Sequence, residues 1–253
     1  MKVAILGHGF VGTATEYFLK EYCSDKVSEV FVEDPGKGMY IDTNDWEQVM
    51  YTFICVPTDS FDAKLDLNIL FKALKRAHGI PVIRSTVGPD QMALIAMAVN
   101  KPFMHWPEFL RENHWKQDVD DKTIPVVIGG QHKMTDTFVT CILPEDRIIY
   151  EGNVKEAAMM KVSRNAMLAA KVAQSNHLFD MCKEHNCSYQ LVKQFLIQDD
   201  TLGATHWDVP GFDGNRGFGG KCLPKDTKHY ESMFKEDNMY TALLDYNDTF
   251  KNA

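Results

Sequence analysis

The sequence predicts an α/β chain: a doubly wound parallel sheet over residues 1–150, then an all-helical domain over residues 151–253 built on one long helix. Three observations predict it. An apolar run at the start of the chain meets three closely spaced glycines and then a helical pattern. Short apolar runs alternate with helical spacing as far as Tyr150, as parallel strands joined by crossover helices do. From Val154 to Glu184 there is neither Gly nor Pro, so this stretch reads as one helix of about thirty residues.

Val3-Ala4-Ile5-Leu6 suits a central strand covered on both faces. Gly7-His8-Gly9-Phe10-Val11-Gly12 follows at once, and helical spacing runs through Ala14, Tyr17, Phe18 and Leu19 to about Tyr22. Glu29-Val30-Phe31-Val32 is the second strand, closed by Glu33-Asp34-Pro35. Strand, G-x-G-x-x-G, helix, strand and acid in this order are the dinucleotide-binding fingerprint of a Rossmann-type sheet. Gly7 permits the turn, Gly9 lets the main chain approach a pyrophosphate, and Gly12 lets helix and strand close together. The helix N-terminus then faces the anion. An acid at the end of the second strand accepts from ribose hydroxyls, which favours NAD over NADP. Asp34 is preferred to Glu33 because it lies just past the apolar run.

Asp42 to Gln48 is a polar connector with room for one helical turn. The next strand is Thr52 to Val56, ended by Pro57-Thr58. Residues 66–77 have helical spacing with an acidic start and a basic end. Strand 81–84, the block Ser85-Thr86-Val87-Gly88-Pro89 and a helix over about 90–99 come next. Strand 103–105 leads into Trp106-Pro107-Glu108-Phe109-Leu110-Arg111-Glu112. Strand 126–128, a helix over 132–141 and strand 147–150 complete the domain. Ligands of such a sheet lie outside the strand C-terminal ends, where Thr58, Thr86 and Glu108 fall. Beyond the long helix, further helices are expected over about 189–198, 224–234 and 240–251. A helix as long as 154–184 must bury its faces, and a homodimer is the expected solution.

A formal charge of −8 over 253 residues argues against nucleic acid, which demands a Lys/Arg surface. No apolar run is long enough to span a membrane, and the N-terminal run reads as a strand, not a signal peptide. The six cysteines form no C-x-x-C pair, which suggests free thiols in a reducing, cytoplasmic setting. Nine scattered histidines show no ligand spacing, so no metal site is expected.

The most reactive stretch is Gly217-Phe218-Gly219-Gly220-Lys221-Cys222-Leu223-Pro224-Lys225-Asp226. Its glycines allow tight turning and close ligand approach. Pro224 suits the first turn of a helix. A cysteine at a helix N-terminus between Lys221 and Lys225 should be a ready thiolate nucleophile. Lys161 and Asn165, four apart on the long helix, face one way and suit an oxyanion or a water. A solvated helix face has the same spacing. Glu108 and Glu112 share it at a strand end, fit either for a general base or for surface charge. Asp226, four after Cys222, suits a water, a lysine or the helix dipole. A nicotinamide fold with a thiolate supports a double oxidation. An aldehyde is trapped as a thiohemiacetal, oxidised to a thioester and hydrolysed to an acid.

These blocks together resemble the UDP-glucose 6-dehydrogenase and GDP-mannose dehydrogenase family. The resemblance rests on the N-terminal glycine motif, Ile54-Cys55-Val56-Pro57-Thr58, Ser85-Thr86-Val87, Pro107 to Glu112, Lys161 with Asn165, and Gly217 to Asp226. It implies NAD-dependent, two-step oxidation of a nucleotide-sugar C6 alcohol to the carboxylate, foremost UDP-glucose to UDP-glucuronate. Cys222 would be the nucleophile, with Lys161, Asn165 and Asp226 around the reacting carbon and a water. Thr86, Glu108 and Glu112 would serve the nicotinamide side and the hydrolytic step. Cofactor contacts would come from Gly7, Gly9, Phe10, Val11, Gly12, Asp34, Val56, Pro57, Thr58, Ser85 and Thr86. Glu108, Phe109, Leu110, Arg111, Lys161, Asn165, Phe218, Gly219 and Gly220 would hold the sugar. The family's long helix builds a dimer.

The chain departs from that pattern in three places. The family usually continues into a second α/β domain holding the nucleotide, so a short form is expected here. Ala158 stands where the family often has Glu, and residues 205–216 lack its usual lead-in, leaving Arg216 as a candidate phosphate contact. Two other readings share the layout: a single-oxidation dehydrogenase of the 3-hydroxyacid or 6-phosphogluconate type, and a non-catalytic NAD-binding subunit that needs a partner chain.

Overall fold

The N-terminal apolar run forms β1 (Lys2–Leu6), flanked on both sides by parallel neighbours. The computed structural model describes residues 1–61 and 64–250. They divide into two units, Met1–Asp59 with Leu65–Lys161, and Ser60–Lys64 with Val162–Ala253.

In the first unit the glycine motif leads into α1 (Phe10–Tyr22), β2 (Glu29–Glu33), α2 (Thr43–Trp46) and β3 (Val49–Ile54). Two short strands, β4 (Ser60–Phe61) and β5 (Lys64–Leu65), follow in the chain and form a separate ribbon, with Ser60–Lys64 counted in the second unit. Then come α3 (Asn68–Arg76), β6 (Ile80–Ile83), α4 (Met92–Val99), β7 (Met104–His105), α5 (Trp115–Asp120), β8 (Val126–Gly129), α6 (His132–Ile142) and β9 (Ile149–Gly152). The seven-stranded sheet runs β2-β1-β3-β6-β7-β8-β9. From β1 the chain goes first to one side and then to the other, so the crevice between the ends of β1 and β3 is the switch point.

The sheet carries a core on each face. Phe18, Leu19, Phe53, Trp106, Phe138 and Ile128 fill one, and Trp46, Leu70, Ile83, Met92 and Ile95 the other. Each large side chain so buried contributes about 1.5–3 kcal/mol. Ala158, buried whole, joins the second face; a methyl group fits there without disturbing the packing.

The expected parallel sheet has one exception, because β8 pairs antiparallel with β7 through His105 and Gly129. A parallel neighbour needs a crossover that returns the chain to its starting edge. The segment after β7 has only α5, six residues long, and β8 enters from the other end. The last strand starts at Ile149, two residues later than its apolar run suggests. Arg147 is turned inward instead, donating to Val119 O at 2.7 Å and Asp121 O at 3.0 Å. β4, β5 and α5 are too short to leave a periodic signal.

The long helix is present as α7 (Val154–Glu184), followed by α8 (Tyr189–Gln198), α9 (Leu223–Ser232) and α10 (Met239–Asp248). In the second unit the small residues Ala169 and Ala173 of α7 admit Phe218, with Leu223, Leu243 and Leu244 around it. Tyr189, Cys182 and Val209 form a second cluster with Leu178 and Phe179. α10 ends at Asp248 with Thr249 as its cap, short of the expected end near residue 251, which itself lies outside the described residues. No helix among the described residues is long and apolar enough to cross a membrane.

Candidate active site

Gly7 leaves β1 at φ +88, and its N–H donates to Glu33 O at 2.9 Å. A Cβ at Gly7 would lie 2.6 Å from Cys55 O, and one at Gly12 would lie 2.1 Å from Gly7 O. Side chains at either position would therefore force β1, β3 and α1 apart. Around Gly9 the space is open, so its main chain is accessible to a ligand. Phe10 and Val11 open α1 behind it.

Asp34 follows β2, as expected of the ribose acid. Its Oδ2 accepts from His8 N at 2.8 Å and its Oδ1 from Gly36 N at 3.1 Å, so the carboxylate lies against the glycine motif. Lys37 donates to His8 O. Glu33, the rejected alternative, is buried and pairs with Arg76 through both oxygens, each at 3.0 Å. The His8 ring meets Glu16 at 2.7 Å. Burial alone would raise the Glu16 carboxyl, but hydrogen bonds from Lys20 and His8 outweigh it and hold the carboxyl below its usual range.

At the strand ends, the Thr58 hydroxyl donates to Thr86 O at 2.7 Å, and Ser85 Oγ donates to Val56 O at 2.7 Å. These bonds tie the chain after β3 to the chain after β6. Arg84 lies buried behind them, donating to Thr15 Oγ1 and Trp106 O at 3.2 Å each, with its guanidinium 4.0 Å from the Trp106 ring. Burial lowers its pKa from the usual arginine value.

Beyond β7, Glu108 is buried and accepts from Leu110 N at 2.7 Å and from Lys161 Nζ at 3.1 Å. The Lys161 ammonium also lies 5.7 Å from the Phe109 ring. Arg111 is held to Asp118 through its main-chain N–H at 2.7 Å and its guanidinium at 2.5 Å. Glu112 is exposed, so the spacing of four does not place the two glutamates on one face. Residues 108–111 are not helical.

In the second unit Cys222 is half-buried and caps the N-terminus of α9, where Asp226 N donates to Cys222 O at 2.9 Å. The thiol thus belongs to the positive end of a helix. Asp226 is almost sealed from water: its Oδ2 accepts from Asn165 Nδ2 at 2.6 Å. Its Oδ1 lies 2.8 Å from Lys225 Nζ, an ion pair without hydrogen-bond alignment. Arg216 donates to Asn176 O at 3.1 Å and to Asp180 Oδ2 at 2.7 Å, with its guanidinium 4.3 Å from the Phe250 ring.

Residues 155–250 match the model of the central domain of the UDP-glucose/GDP-mannose dehydrogenase family. The chain is 25% identical to the UDP-glucose 6-dehydrogenase of Haloferax volcanii, across 98% of this chain and 70% of that protein.

These matches make the chain similar to the UDP-glucose/GDP-mannose dehydrogenase family.

It is accordingly an oxidoreductase acting on CH–OH. It is also 35% identical to the GDP-mannose 6-dehydrogenase of Pseudomonas aeruginosa, over 70% of this chain and 45% of that one. The fold is shared with the UDP-glucose dehydrogenase of Pyrobaculum islandicum, with a TM-score of 0.78 and 21% identity over 99% of this chain and 68% of that one.

Sequence reasoning misses three residues around the candidate site. Asn176 and Asn247 hold the glycine loop, and Asp118 holds Arg111. Only the burial of each polar side chain marks it, and periodicity does not show that.

Proposed function

We propose that the chain oxidises the C6 alcohol of a nucleotide sugar, UDP-glucose foremost, to the carboxylate, with NAD as acceptor and Cys222 as covalent nucleophile. One observation carries the reading: Cys222 caps α9, and one turn on, the sealed Asp226 carboxylate is fixed by Asn165 and Lys225. That arrangement suits a thiol meant to react and a carboxylate meant to orient a partner.

The cradle fits a dinucleotide. Gly9 leaves open space for a pyrophosphate at the N-terminus of α1, and Asp34 offers a carboxylate for ribose hydroxyls. Phe10, Val11, Val56, Pro57, Thr58, Ser85 and Thr86 complete the expected contacts. When bound, NAD supplies a hydride acceptor. The protein residues do the rest. Cys222 Sγ adds to the carbonyl carbon of the aldehyde, and the oxygen takes a proton to give a thiohemiacetal. Loss of hydride from that carbon leaves a thioester. Lys161 and Asn165 steady the developing oxyanion. Glu108 and Asp226 orient the water that adds to the thioester, and Cys222 leaves as the thiolate. Alcohol and water thereby give the carboxylate, two hydrides and protons. Glu108 to Arg111 and Phe218 to Gly220 hold the sugar, Arg216 meets a phosphate, and Glu112 serves the hydrolytic step.

The exposed Met159, Met160, Met167 and Met181 of α7 support a homodimer built on that helix. Light scattering after size-exclusion chromatography tests it, and a monomer at micromolar concentration overturns it. Six cysteines without a disulfide support a cytoplasmic setting.

The deciding experiment is NADH formation by the purified chain against a panel of UDP- and GDP-sugars. Two NADH per acid is the expected result. One NADH per product favours the single-oxidation reading, and NAD binding without turnover favours a subunit role.

A further inference from the structure

Two buried asparagines grip the main chain of the glycine loop ahead of Cys222. Asn247 of α10, 1% exposed, accepts from Phe218 N at 2.7 Å and donates through Nδ2 to Phe218 O at 3.2 Å. Asn176 of α7 accepts from Gly217 N at 3.2 Å, and its own Nδ2 is anchored on Val172 O at 2.9 Å. Arg216 Nε donates to the same Asn176 oxygen at 3.2 Å. Gly217 has φ +78, and a Cβ there would fall 2.5 Å from Asn247 Oδ1. The glycine is thus required by the asparagine as well as by the turn. The Phe218 ring, packed with Ala169 and Ala173, fixes the same residue from its side chain.

We propose that Asn247 is a positioning residue for the chemistry at Cys222. The proposal rests on the nucleophile reading above. An amide that both accepts from and donates to one residue fixes that residue's orientation, as a neighbouring strand would. Phe218 is the last residue before Gly219-Gly220, which are intrinsically free to move and lead directly to Lys221 and Cys222. A nucleophile must be held within about 0.5 Å of its productive place, and a displacement of about 1 Å costs on the order of 100-fold in rate. Asn247 touches no reacting atom. It fixes the upstream end of the loop, while α9 fixes the downstream end.

The test uses the whole chain with Asn247→Ala, Asn247→Asp and Gly217→Ala. The aspartate keeps the acceptor for Phe218 N but sets an oxygen against Phe218 O. The added methyl of Gly217→Ala disturbs the same grip from the loop side, and it serves if Asn247→Ala does not fold. In Asn247→Ala the Phe218 amide should exchange about 10-fold faster or more, with the β1 amides unchanged. The kcat should fall roughly 10- to 100-fold at constant KM for NAD, with Asn247→Asp between. A wild-type kcat with a fast Phe218 amide overturns the proposal, and so does a Phe218 amide that exchanges as in wild type. Loss of kcat that only follows a lower fraction of folded enzyme overturns it too. Undiminished acid formation by Cys222→Ser removes the nucleophile reading instead, and leaves the exchange result standing.

Discussion

Lys161 Nζ lies 3.1 Å from Glu108 Oε1, and the two side chains are only 4% and 6% exposed. The other Glu108 oxygen is taken by Leu110 N. Removing one partner of such a pair leaves an uncompensated buried charge. Lys161→Ala should therefore cost about 3–5 kcal/mol in urea unfolding. Glu108→Gln with Lys161→Met should be more stable than either single change, because neither charge is stranded. Screening reaches buried pairs weakly, so about 0.5 M salt should leave these differences in place. A cost below about 1 kcal/mol for Lys161→Ala would show the pair to be hydrated in solution.

The cysteines differ sharply in environment. Burial pushes the Cys23 thiol up to about 12 and the Cys55 thiol up to about 11. Cys182 is buried as well, whereas Cys141 and Cys187 are exposed and Cys222 is half-buried at its helix cap. Iodoacetamide at about pH 8 should label Cys141, Cys187 and Cys222, and spare the buried three. The double variant Cys141→Ser/Cys187→Ser should keep its activity and still be inactivated in step with labelling at Cys222. Cys222→Ser should form no acid from the alcohol. Peptide mapping that finds inactivation without a Cys222 adduct would refute the assignment.

Asp34 binds two main-chain N–H groups of the glycine motif and the turn after β2, so it both shapes the cradle and offers a charge to the ribose. A charge-assisted hydrogen bond contributes about 1.5–3 kcal/mol, so Asp34→Ala should raise KM for NAD roughly 10- to 100-fold. Glu33→Ala should instead reduce stability, since it removes the buried acceptor of Ile41 N and of the Arg76 guanidinium. Initial-rate kinetics beside urea unfolding separate the two. Equal effects of both changes on KM would mean that the acid was assigned to the wrong residue.

The glycine fingerprint is legible in the sequence because each glycine answers a local steric demand, such as the Cys55 carbonyl beside Gly7. The long helix is legible because its signal is the absence of breakers. The asparagine grip is not, since Asn176 and Asn247 lie 41 and 29 residues from their partners Gly217 and Phe218. At Glu108 and Glu112 spacing carries little, because four-residue spacing implies one face only on a helix and residues 108–111 are not helical. Lys161 and Asn165 do lie on one helix, α7, and each is buried there. The antiparallel β8 is invisible for a related reason: an apolar run gives a strand but not its direction.

His105 gives the acid limb of stability. The ring is buried in β7, its Nδ1 lies 3.1 Å from Ile83 O, and burial pushes its pKa down to about 3. The unfolded ring takes a proton near its ordinary value of about 6.5. Between these values the unfolded state binds more protons, so stability falls as pH falls. At about pH 4.5 the loss from this residue alone should approach 3 kcal/mol on the order-of-magnitude scale of one pH step per 1.36 kcal/mol. Lowered carboxyls such as Asp118 and Glu16 act in the same direction, so wild type must be compared with His105→Asn. Urea unfolding at about pH 7 and about pH 4.5 should show a smaller drop in the variant. Parallel curves for the two proteins would place a proton on His105 in the folded state.

The pair Arg111 and Asp118 separates a main-chain role from a side-chain role in the loop after β7. Asp118 is 3% exposed, whereas the Arg111 side chain is 63% exposed. Burial alone would raise the Asp118 carboxyl, but bonds from the Arg111 guanidinium and main chain outweigh it and hold it below its usual range. The two ends of the pair therefore respond unequally to mutation. Arg111→Ala leaves a buried carboxylate with one main-chain donor, and should cost about 1–3 kcal/mol. Asp118→Asn keeps an acceptor for Arg111 N and releases the guanidinium into water, so it should cost less. The carboxylate contributes stability above its unfolded pKa of about 3.9, lost as pH falls through its lower folded value. Arg111→Ala should move that loss to higher pH. If the main chain from Glu108 to Arg111 holds the sugar, Asp118→Asn should retain most turnover because the Arg111 N anchor survives. Arg111→Lys should then behave like wild type in KM for the sugar nucleotide. A large rise in that KM for Arg111→Lys, at unchanged stability, would show instead that the guanidinium leaves Asp118 and binds substrate directly.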